Sequence, residues 1–314
     1  MIIAITGISS ALGQVLVPKL QSDPTVEKII GIDLTEYKDK EKIEFFKLDV
    51  RDREGIKHAL KGADALIHLA FIVIPKKLPK LKIIYDINVN GSKTIFQAAA
   101  NNNVKKIIYL SSQSVYGHVP ESPKIVDEDS PRLGIRTTNF YYSHTKALVE
   151  EFLDELEANY PNIAVIRLRP PIITGPHFMQ NLGLLNLQKK RIFTIPLINH
   201  DGKMPIQLIH EDDLTDTILV ALKGNTHGAY NVASNIIPDL EGFAENNYGV
   251  KVRRIPPILA KIAVRFGKIW TKLRWGQAIL YNSLLNTEKI ERELNWKPKY
   301  STEQCIEEIN REIS

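Results

Sequence analysis

Short apolar runs alternate with amphipathic stretches along the first two-thirds of the chain. The runs are rich in Ile, Val and Leu and are bounded by polar or turn residues, as is typical of buried strands. They are Ile2–Thr6, Lys28–Ile32, Ala65–Leu69, Lys106–Ser111 and Ala164–Arg169. The stretches with helical periodicity between them are Leu12–Gln21, Arg53–Leu60, Gly91–Asn101 and Tyr142–Asn159. This alternation predicts an α/β fold of the Rossmann type, with a doubly wound parallel sheet covered by helices on both faces.

The pattern loosens after Pro170-Pro171 and becomes regular again in two later places. Ile206–His210 predicts another strand, and Asp212-Asp213 are expected to cap the helix after it. Asn286–Ile313 is again helical in pattern. We therefore predict a nucleotide-binding domain of residues 1–169, to which 206–228 and part of 284–314 return. Residues 170–205 and 229–283 are predicted to form a smaller, discontinuous C-terminal substrate-binding domain.

The composition is that of an ordinary globular protein able to bury a sizeable core. Hydrophobic residues make up 44% and charged residues 25% of the 314 residues. A net charge of +5 is too small to indicate nucleic-acid binding. Cys305 is the only cysteine, which excludes an internal disulfide and fits a reducing compartment. Because we find no secretory leader and no apolar run of the about 18 residues that span a membrane, we expect a cytoplasmic protein.

A glycine-containing turn, Gly7-Ile8-Ser9-Ser10-Ala11-Leu12-Gly13, joins the first predicted strand to the first predicted helix. A dinucleotide-binding fold needs a tight turn there, because backbone N–H groups and the positive helix end then face the pyrophosphate. Gly7 would permit the turn and Gly13 the close approach of helix and strand, whereas Ser10 replaces the middle glycine of the usual pattern. Such a motif is weak by itself, and an ordinary strand–helix turn is the alternative.

Two carboxylates follow the next two apolar stretches. Asp33 ends the second strand at the distance of about 20 residues expected of a ribose-binding acid. A carboxylate there binds ribose hydroxyls and repels a 2′-phosphate, which predicts NAD rather than NADP. A solvated aspartate at a strand end is the alternative. Asp49 and Val50 lie beyond a third apolar stretch, and Asp49 is expected to meet the adenine.

Tyr142 and Lys146 stand at i and i+4 in a predicted helix and therefore share one face. A free tyrosine has a pKa near 10 and is a poor base at neutral pH. A nearby ammonium, together with a positively charged nicotinamide ring, would stabilise the phenolate and lower that pKa. Taken alone, the pair is indistinguishable from a chance surface pair. The serines of Ser111–Gly117 follow a strand upstream, where a hydroxyl can hydrogen-bond a substrate oxygen as charge develops on it.

Together these segments resemble the extended short-chain dehydrogenase/reductase family, which includes the NAD-dependent epimerases and dehydratases. The resemblance extends over nearly the whole chain. Besides the segments above, the matching ones are His68-Leu69-Ala70, Asn88-Val89-Asn90-Gly91, Arg169-Pro170, Ile209-His210-Glu211-Asp212-Asp213 and Leu294-Asn295-Trp296-Lys297-Pro298.

The resemblance implies a role for each matching residue. Tyr142 would be the general acid/base, and Lys146 would lower its pKa and bind the nicotinamide ribose. Ser112 would polarise the substrate oxygen, with Ser114 as the alternative, and Asn88 would organise the site. The implied NAD-binding residues are Gly7, Ser9, Ser10, Ala11, Leu12, Gly13, Asp33, Asp49, Val50, Leu69, Ala70, Ser111, Tyr142, Lys146 and Pro170. No Cys, His or carboxylate cluster has the spacing of metal ligands, so we expect no metal.

Two departures from the family pattern bear on the reaction. The 4,6-dehydratases of the family carry an acidic pair directly after the hydroxyl residue, where this chain has Gln113 and Ser114, so we expect no dehydration. Sugar-nucleotide epimerases usually place an asparagine at the position of Ile172 and often an arginine at that of Ile206, to grip the diphosphate. Basic residues that could replace those contacts are Lys189, Lys190, Arg191 and Lys203.

Three functions stay open on these grounds. The first is an NAD-dependent epimerase of a sugar or sugar nucleotide, and the second is a dehydrogenase or reductase of a more apolar alcohol or ketone. The third is a non-catalytic NAD-binding regulator, against which the complete Tyr142, Lys146 and Ser112 set argues. The expected partner is a small-molecule substrate and not a nucleic acid, and we expect a homodimer.

One basic segment near the C-terminus is explained by none of these functions. Residues 251–275 contain eight Lys or Arg residues and not one acidic residue. From 257 to 275 the pattern is helical, with a basic stripe beside an apolar face. A core-packed helix with solvated lysines is one interpretation. Contact with a substrate diphosphate, or peripheral contact of 257–275 with an anionic membrane, is the other.

Overall fold

The computed structural model describes residues 1–73, 81–137, 140–181, 192–196, 203–255, 278 and 281–312. Its strands are β1 (Ile2–Thr6), β2 (Lys28–Asp33), β3 (Ile43–Lys47), β4 (Ala65–His68), β5 (Lys106–Leu110), β6 (Ile125–Val126), β7 (Ala164–Arg169), β8 (Ile172–Thr174), β9 (Ile192–Pro196), β10 (Ile206–His210), β11 (Gly228–Asn231), β12 (Ile236–Ile237), β13 (Lys251–Ile255) and β14 (Leu284–Leu285). Its α-helices are α1 (Ala11–Gln21), α2 (Arg53–Ala59), α3 (Leu81–Tyr85), α4 (Ser92–Asn101), α5 (Tyr141–Asn159), α6 (Glu211–Lys223), α7 (Leu240–Tyr248), α8 (Glu288–Leu294) and α9 (Thr302–Glu312). A π-helical segment, Asp86–Gly91, joins α3 to α4.

Seven strands form one sheet in the order β11-β7-β5-β4-β1-β2-β3. All neighbouring strands in it are parallel. The chain runs from β1 outward to β2 and β3, and then returns to the other side of β1 to form β4. Ligands of open α/β sheets bind at such a reversal, outside the carboxyl ends of the strands. A ligand site is therefore expected at the carboxyl ends of β1 and β4.

Helices cover both faces of this sheet. Helices α1 and α6 pack on one face through side chains such as Leu16 and Ile218. Helices α2, α4 and α5 pack on the other through Ile56, Phe96 and Leu153. Full burial of a side chain of this size contributes about 1.5–3 kcal/mol, so the two apolar layers fix the helices on the sheet. The predicted doubly wound fold is confirmed.

The smaller sheets lie beside the large one. Strand β10 pairs with β8 and β12 in a separate three-stranded sheet, whereas α6 packs on the large sheet, and Ile209 of β10 is buried in the same core as α6. Strand β11 joins the large sheet beside β7, because Tyr230 and Val232 are buried in its core. Residues 229–231, which the prediction places in the 229–283 segment, thus extend the large sheet. The division into two domains stays a prediction.

The predicted cap of α6 was wrong. The helix begins at Glu211, and the ring nitrogen Nδ1 of His210 caps it by accepting the Asp212 N–H at 3.2 Å. Asp212 and Asp213 lie in the first turn, where carboxylates interact favourably with the helix dipole. The helical stretch predicted for Asn286–Ile313 is two helices, since Asn295 adopts a left-handed φ of 49° and ends α8. Among the described residues, no helix is long and apolar enough to cross a membrane.

Candidate active site

The turn between β1 and α1 is too tight for side chains at its two glycines. Gly7 has a φ of +72°, and a Cβ there would lie 2.7 Å from the backbone nitrogen of Ala70. A Cβ at Gly13 would lie 2.0 Å from the Ile8 carbonyl oxygen. Ser10, the departure from the glycine pattern, is the N-cap of α1, and its Oγ accepts the Gly13 N–H at 3.2 Å. The N-terminus of α1 thus lies directly after the carboxyl end of β1, which is where a pyrophosphate site would be expected.

Asp33 lies beside this turn at the end of β2. One carboxylate oxygen accepts the Ser9 N–H at 3.1 Å, and the other accepts the Thr35 N–H at 3.0 Å. Ser9 in turn donates its hydroxyl to the Thr35 carbonyl at 2.7 Å. These bonds hold the half-buried carboxylate in place next to the glycine turn. The structure therefore brings together two of the predicted cofactor residues, Ser9 and Asp33.

Asp49 has a partner that the sequence did not reveal. Arg51 donates to both of its carboxylate oxygens, from Nε at 2.9 Å and from Nη2 at 2.6 Å, and its Nη1 reaches Asp86 at 3.0 Å. These hydrogen bonds lower the pKa of Asp49, although partial burial opposes them. Val50 packs against the π-helical segment so closely that a Cβ on Gly91 would lie 2.4 Å from it. Arg51 thus already holds the Asp49 carboxylate. The contact of Asp49 with adenine stays a prediction.

Asn88 lies in the π-helical segment and binds backbone. Its Oδ1 accepts the Ile72 N–H at 2.8 Å, and its Nδ2 donates to the Ile72 carbonyl at 3.0 Å. π-helical turns often occur at functional sites, because they re-aim a side chain within a helix. Here the side chain fixes the residues that follow β4, which include Leu69 and Ala70. Asn88 thus holds the backbone of the segment after β4, and its predicted role in organising the site stays a prediction.

Helix α5 presents Tyr142 and Lys146 to the end of β5. The Tyr142 side chain lies beside that of Ser112, and the Lys146 ammonium donates to the Leu110 carbonyl. Burial raises the pKa of Tyr142, and the hydrogen bond from Ser112 offsets part of that rise. Burial also lowers the pKa of Lys146 well below its ordinary value, with the charge of Glu150 acting against it. The structure brings the three predicted catalytic side chains into one group.

The hydroxyl of Ser114 is directed away from this group. It bonds Nε2 of the buried His118 at 3.1 Å, while Nδ1 of that ring faces the Tyr281 carbonyl at 3.2 Å. A carbonyl only accepts, so Nδ1 carries the proton and Nε2 accepts from Ser114. Burial lowers the pKa of His118 to about 4, so the ring is neutral near pH 7. Of the two serines considered, Ser112 is therefore the one that meets Tyr142.

Glu150 and Arg169 form a buried ion pair beneath the catalytic group that sequence reasoning missed. Arg169 binds both Glu150 oxygens, at 2.5 and 3.0 Å, and Ser111 donates its hydroxyl to Glu150 at 2.6 Å. Burial raises the pKa of Glu150, but the Arg169 charge and these hydrogen bonds outweigh it and hold the pKa at about 2. The available signal was the spacing, since Glu150 continues the i, i+4 series of Tyr142 and Lys146. Ser111, a predicted cofactor residue, has its hydroxyl committed to this pair.

Ile172, Ile206 and Gln113, which depart from the family pattern, lie in different environments. Ile172 is 49% exposed at the carboxyl edge, shortly after Pro170, whose carbonyl accepts the Gln113 N–H at 2.9 Å. Ile206 is buried in the core of the small sheet and offers no surface to a ligand. The Gln113 side chain donates to Asn282 at 2.8 Å. Residues 189–191 and 257–275, the proposed anion contacts, lie outside the described residues.

Known proteins are similar to this chain over most of its length. Residues 3–233 match the NAD dependent epimerase/dehydratase family. UDP-glucose 4-epimerase 1 from Oryza sativa subsp. japonica is 25% identical over 294 residues, which cover 85% of this chain and 78% of the rice protein. UDP-glucose 4-epimerase 2 from Arabidopsis thaliana is 26% identical over 298 residues, covering 85% and 79%.

Solved structures share the fold. UDP-glucose-4-epimerase from Stenotrophomonas maltophila, with bound NAD and formylated UDP-arabinopyranose, has a TM-score of 0.74 at 19% identity, covering 99% of this chain and 97% of that one. The dTDP-glucose 4,6-dehydratase from Streptomyces venezuelae, with NAD and TYD bound, has a TM-score of 0.72 at 22% identity, covering 99% and 96%. Epimerases and dehydratases thus use this fold alike, and the fold does not separate the two reactions. Because the family match covers well over half of the chain, this protein belongs to the NAD-dependent epimerase/dehydratase family.

Proposed function

We propose that this protein is an NAD-dependent epimerase that acts at a hydroxyl-bearing carbon of a sugar nucleotide. The observation that supports it most is the juxtaposition of Tyr142 and Ser112, one helical turn from Lys146, at the carboxyl edge of the sheet. Family membership and the similarity to UDP-glucose 4-epimerases favour this reaction class. A non-catalytic NAD-binding regulator would have no need of that group.

The described residues fit a bound dinucleotide. The Gly7–Gly13 turn places the start of α1 where a pyrophosphate would bind, and Asp33 is held where ribose hydroxyls would bind. NAD, when bound, supplies the hydride acceptor and donor. Tyr142 would remove the proton from the substrate hydroxyl, and Ser112 would donate a hydrogen bond to the same oxygen. The Lys146 charge would stabilise the phenolate, and the same groups would work in reverse when the hydride returns.

A dehydratase activity finds no support in the side chains after Ser112. Elimination of water needs an acid and a base beside the hydroxyl residue, and the two positions hold Gln113 and Ser114. The first bonds Asn282 and the second bonds His118. We therefore propose that the reaction ends at epimerisation or oxidation, although dehydratases share the fold.

The second candidate is a dehydrogenase or reductase of a more apolar alcohol or ketone. The observation in its favour is Ile172, an exposed isoleucine whose side chain offers a diphosphate no hydrogen-bond donor. The buried Ile206 does not add to this argument. A homodimer, a cytoplasmic location and contact of 257–275 with an anionic membrane stay predictions.

A substrate screen separates the two candidates. We expect nucleotide sugars to be converted to their epimers in the presence of NAD, with no net change in NADH absorbance, because an epimerase returns its hydride within each turnover. Stoichiometric NADH formation from simple alcohols, with no epimer formed from any nucleotide sugar, would establish the second candidate. Absence of both reactions at saturating NAD, with the cofactor bound, would favour the regulator.

Replacing Asp33 by alanine should narrow the preference for NAD over NADP. The carboxylate binds ribose hydroxyls and repels a 2′-phosphate. We expect the ratio of the two dissociation constants to fall by about tenfold or more, which corresponds to about 1.4 kcal/mol. Titration of each cofactor measures it, with Asp39→Ala as the control, because Asp39 is an exposed carboxylate of the following loop. Equal affinity of the unmodified protein for both cofactors would contradict the assignment.

A further inference from the structure

Two aromatic rings face the buried ammonium of Lys146. The residue is only 3% exposed. Its Nζ lies 3.8 Å from the centre of the Phe71 ring and 4.6 Å from that of Tyr109. The faces of aromatic rings attract cations, and the attraction is strongest where water is excluded. The rings therefore offset part of the desolvation that burial imposes on this charge.

Phe71 contacts the other catalytic residue as well. Its ring meets that of Tyr142 nearly edge-on, with centroids 5.9 Å apart and an interplanar angle of 84°. One half-buried side chain thus lies against both the base and the cation. Tyr109 differs, because it is fully buried in the sheet and stacks on His68.

The backbone around Phe71 is fixed from both sides. Asn88 binds the N–H and the carbonyl of Ile72, at 2.8 and 3.0 Å. The Tyr141 hydroxyl donates to the Val73 carbonyl at 2.6 Å. Ala70, on the other side, lies against the glycine turn. The position of the ring is therefore set by hydrogen bonds that tie this segment to α5 and to the π-helical segment.

We propose that Phe71 is a positioning residue that keeps Lys146 charged beside Tyr142 and so sets the pH at which proton transfer occurs. The proposal rests on the catalytic roles given above to Tyr142 and Lys146. It assigns to Asn88 the task of holding this ring through Ile72. The face of the aromatic ring stabilises the ammonium. A tyrosine at position 71 should therefore keep Lys146 charged, and an aliphatic side chain should not.

The test is the titration of Tyr142 in the Phe71→Leu variant. Leucine keeps an apolar side chain but removes the ring face, so Lys146 loses its proton more readily and the phenolate loses its positive neighbour. We expect the pKa of Tyr142 to rise by about half a unit to one unit. Ultraviolet difference absorbance of the phenolate measures it. Because the chain has 11 tyrosines, each protein is compared with its own Tyr142→Phe form. The acidic limb of the profile of kcat/KM against pH should move to higher pH as well.

Two further variants serve as controls for the aromatic contact. Phe71→Tyr should leave the pKa of Tyr142 as it is in the unmodified protein, because tyrosine keeps the ring face. Phe152→Leu should leave it unchanged, because Phe152 has Lys93 5.2 Å above its ring and lies in the same apolar layer, but away from the site. An unchanged or lowered pKa in Phe71→Leu would overturn the proposal and leave the ring as a mere barrier to water.

Lys146→Met separates failure of this inference from failure of the proposed function. This variant removes the charge itself, so the pKa of Tyr142 should rise at least as much as in Phe71→Leu. If Lys146→Met raises it and Phe71→Leu does not, the inference is wrong and the catalytic roles stand. If neither variant raises it, the coupling of Tyr142 to Lys146 is absent and the proposed function loses its basis as well.

Discussion

Replacing Tyr142 by phenylalanine is expected to lower turnover by about 10²-fold or more, the usual contribution of general acid–base catalysis. The substitution removes the hydroxyl to which we assign the proton transfer, beside Ser112, but keeps the packed ring. NAD affinity should change little, because none of the contacts of the glycine turn or Asp33 is altered. Steady-state turnover on the substrate found by the screen, together with NAD titration, measures both quantities.

The matched control is Tyr160→Phe. Tyr160 follows the last residue of the same helix, and its hydroxyl accepts a hydrogen bond from Gln97 at an exposed position. Loss of that hydroxyl should leave turnover within experimental error. Full activity of Tyr142→Phe would remove Tyr142 from the mechanism, whatever the control shows.

The second large effect is on stability. Glu150→Gln removes the negative partner of Arg169 in a fully buried pair and leaves the guanidinium uncompensated. Breaking a buried pair from one side costs about 3–5 kcal/mol. Denaturant unfolding at neutral pH should show this loss in the midpoint. Glu44→Gln is the control, because the Lys28–Glu44 pair is exposed and such pairs contribute about 1 kcal/mol or less. Equal, small losses in the two variants would show that the buried pair contributes little.

The same pair predicts how stability depends on pH. The pKa of Glu150 falls from an ordinary 4.5 to about 2 in the folded protein. A depressed pKa means that the unfolded chain binds the proton more readily, so this contribution is complete above about pH 4.5 and is lost as the pH falls toward 2. Unfolding free energies measured across that window should fall more steeply for the unmodified protein than for Glu150→Gln. Parallel curves would contradict the assignment.

The periodicity of the chain was enough to predict the large sheet. The bounds predicted for β1 and β7 agree with the structure, and those of β2, β4 and β5 differ by one residue. Burial of a parallel strand on both faces requires a continuous apolar run, and such a run is visible in the sequence itself. The short β11, in contrast, has no such run and was not predicted as a strand.

The sequence motifs were sufficient to predict that the main candidate site residues lie close together. The glycine turn, Asp33, Ser112, Tyr142 and Lys146 all lie at the carboxyl edge of the sheet. Each is tied to the end of a predicted strand or to one face of a predicted helix. Their positions therefore follow from local structure and the parallel topology.

What only the tertiary structure decided are the partners of these residues. The hydrogen bond of Ser114 to His118, the Arg51 bridge from Asp49 to Asp86, and the Phe71 ring over Lys146 each depend on how loops pack. So does the Glu150–Arg169 pair, although the spacing of Glu150 hinted at it. Sequence patterns record which face of an element is buried, since that follows from the period of the helix or strand. They do not record which side chain of another element fills the opposite side, because that choice depends on distances set only when the whole chain has folded.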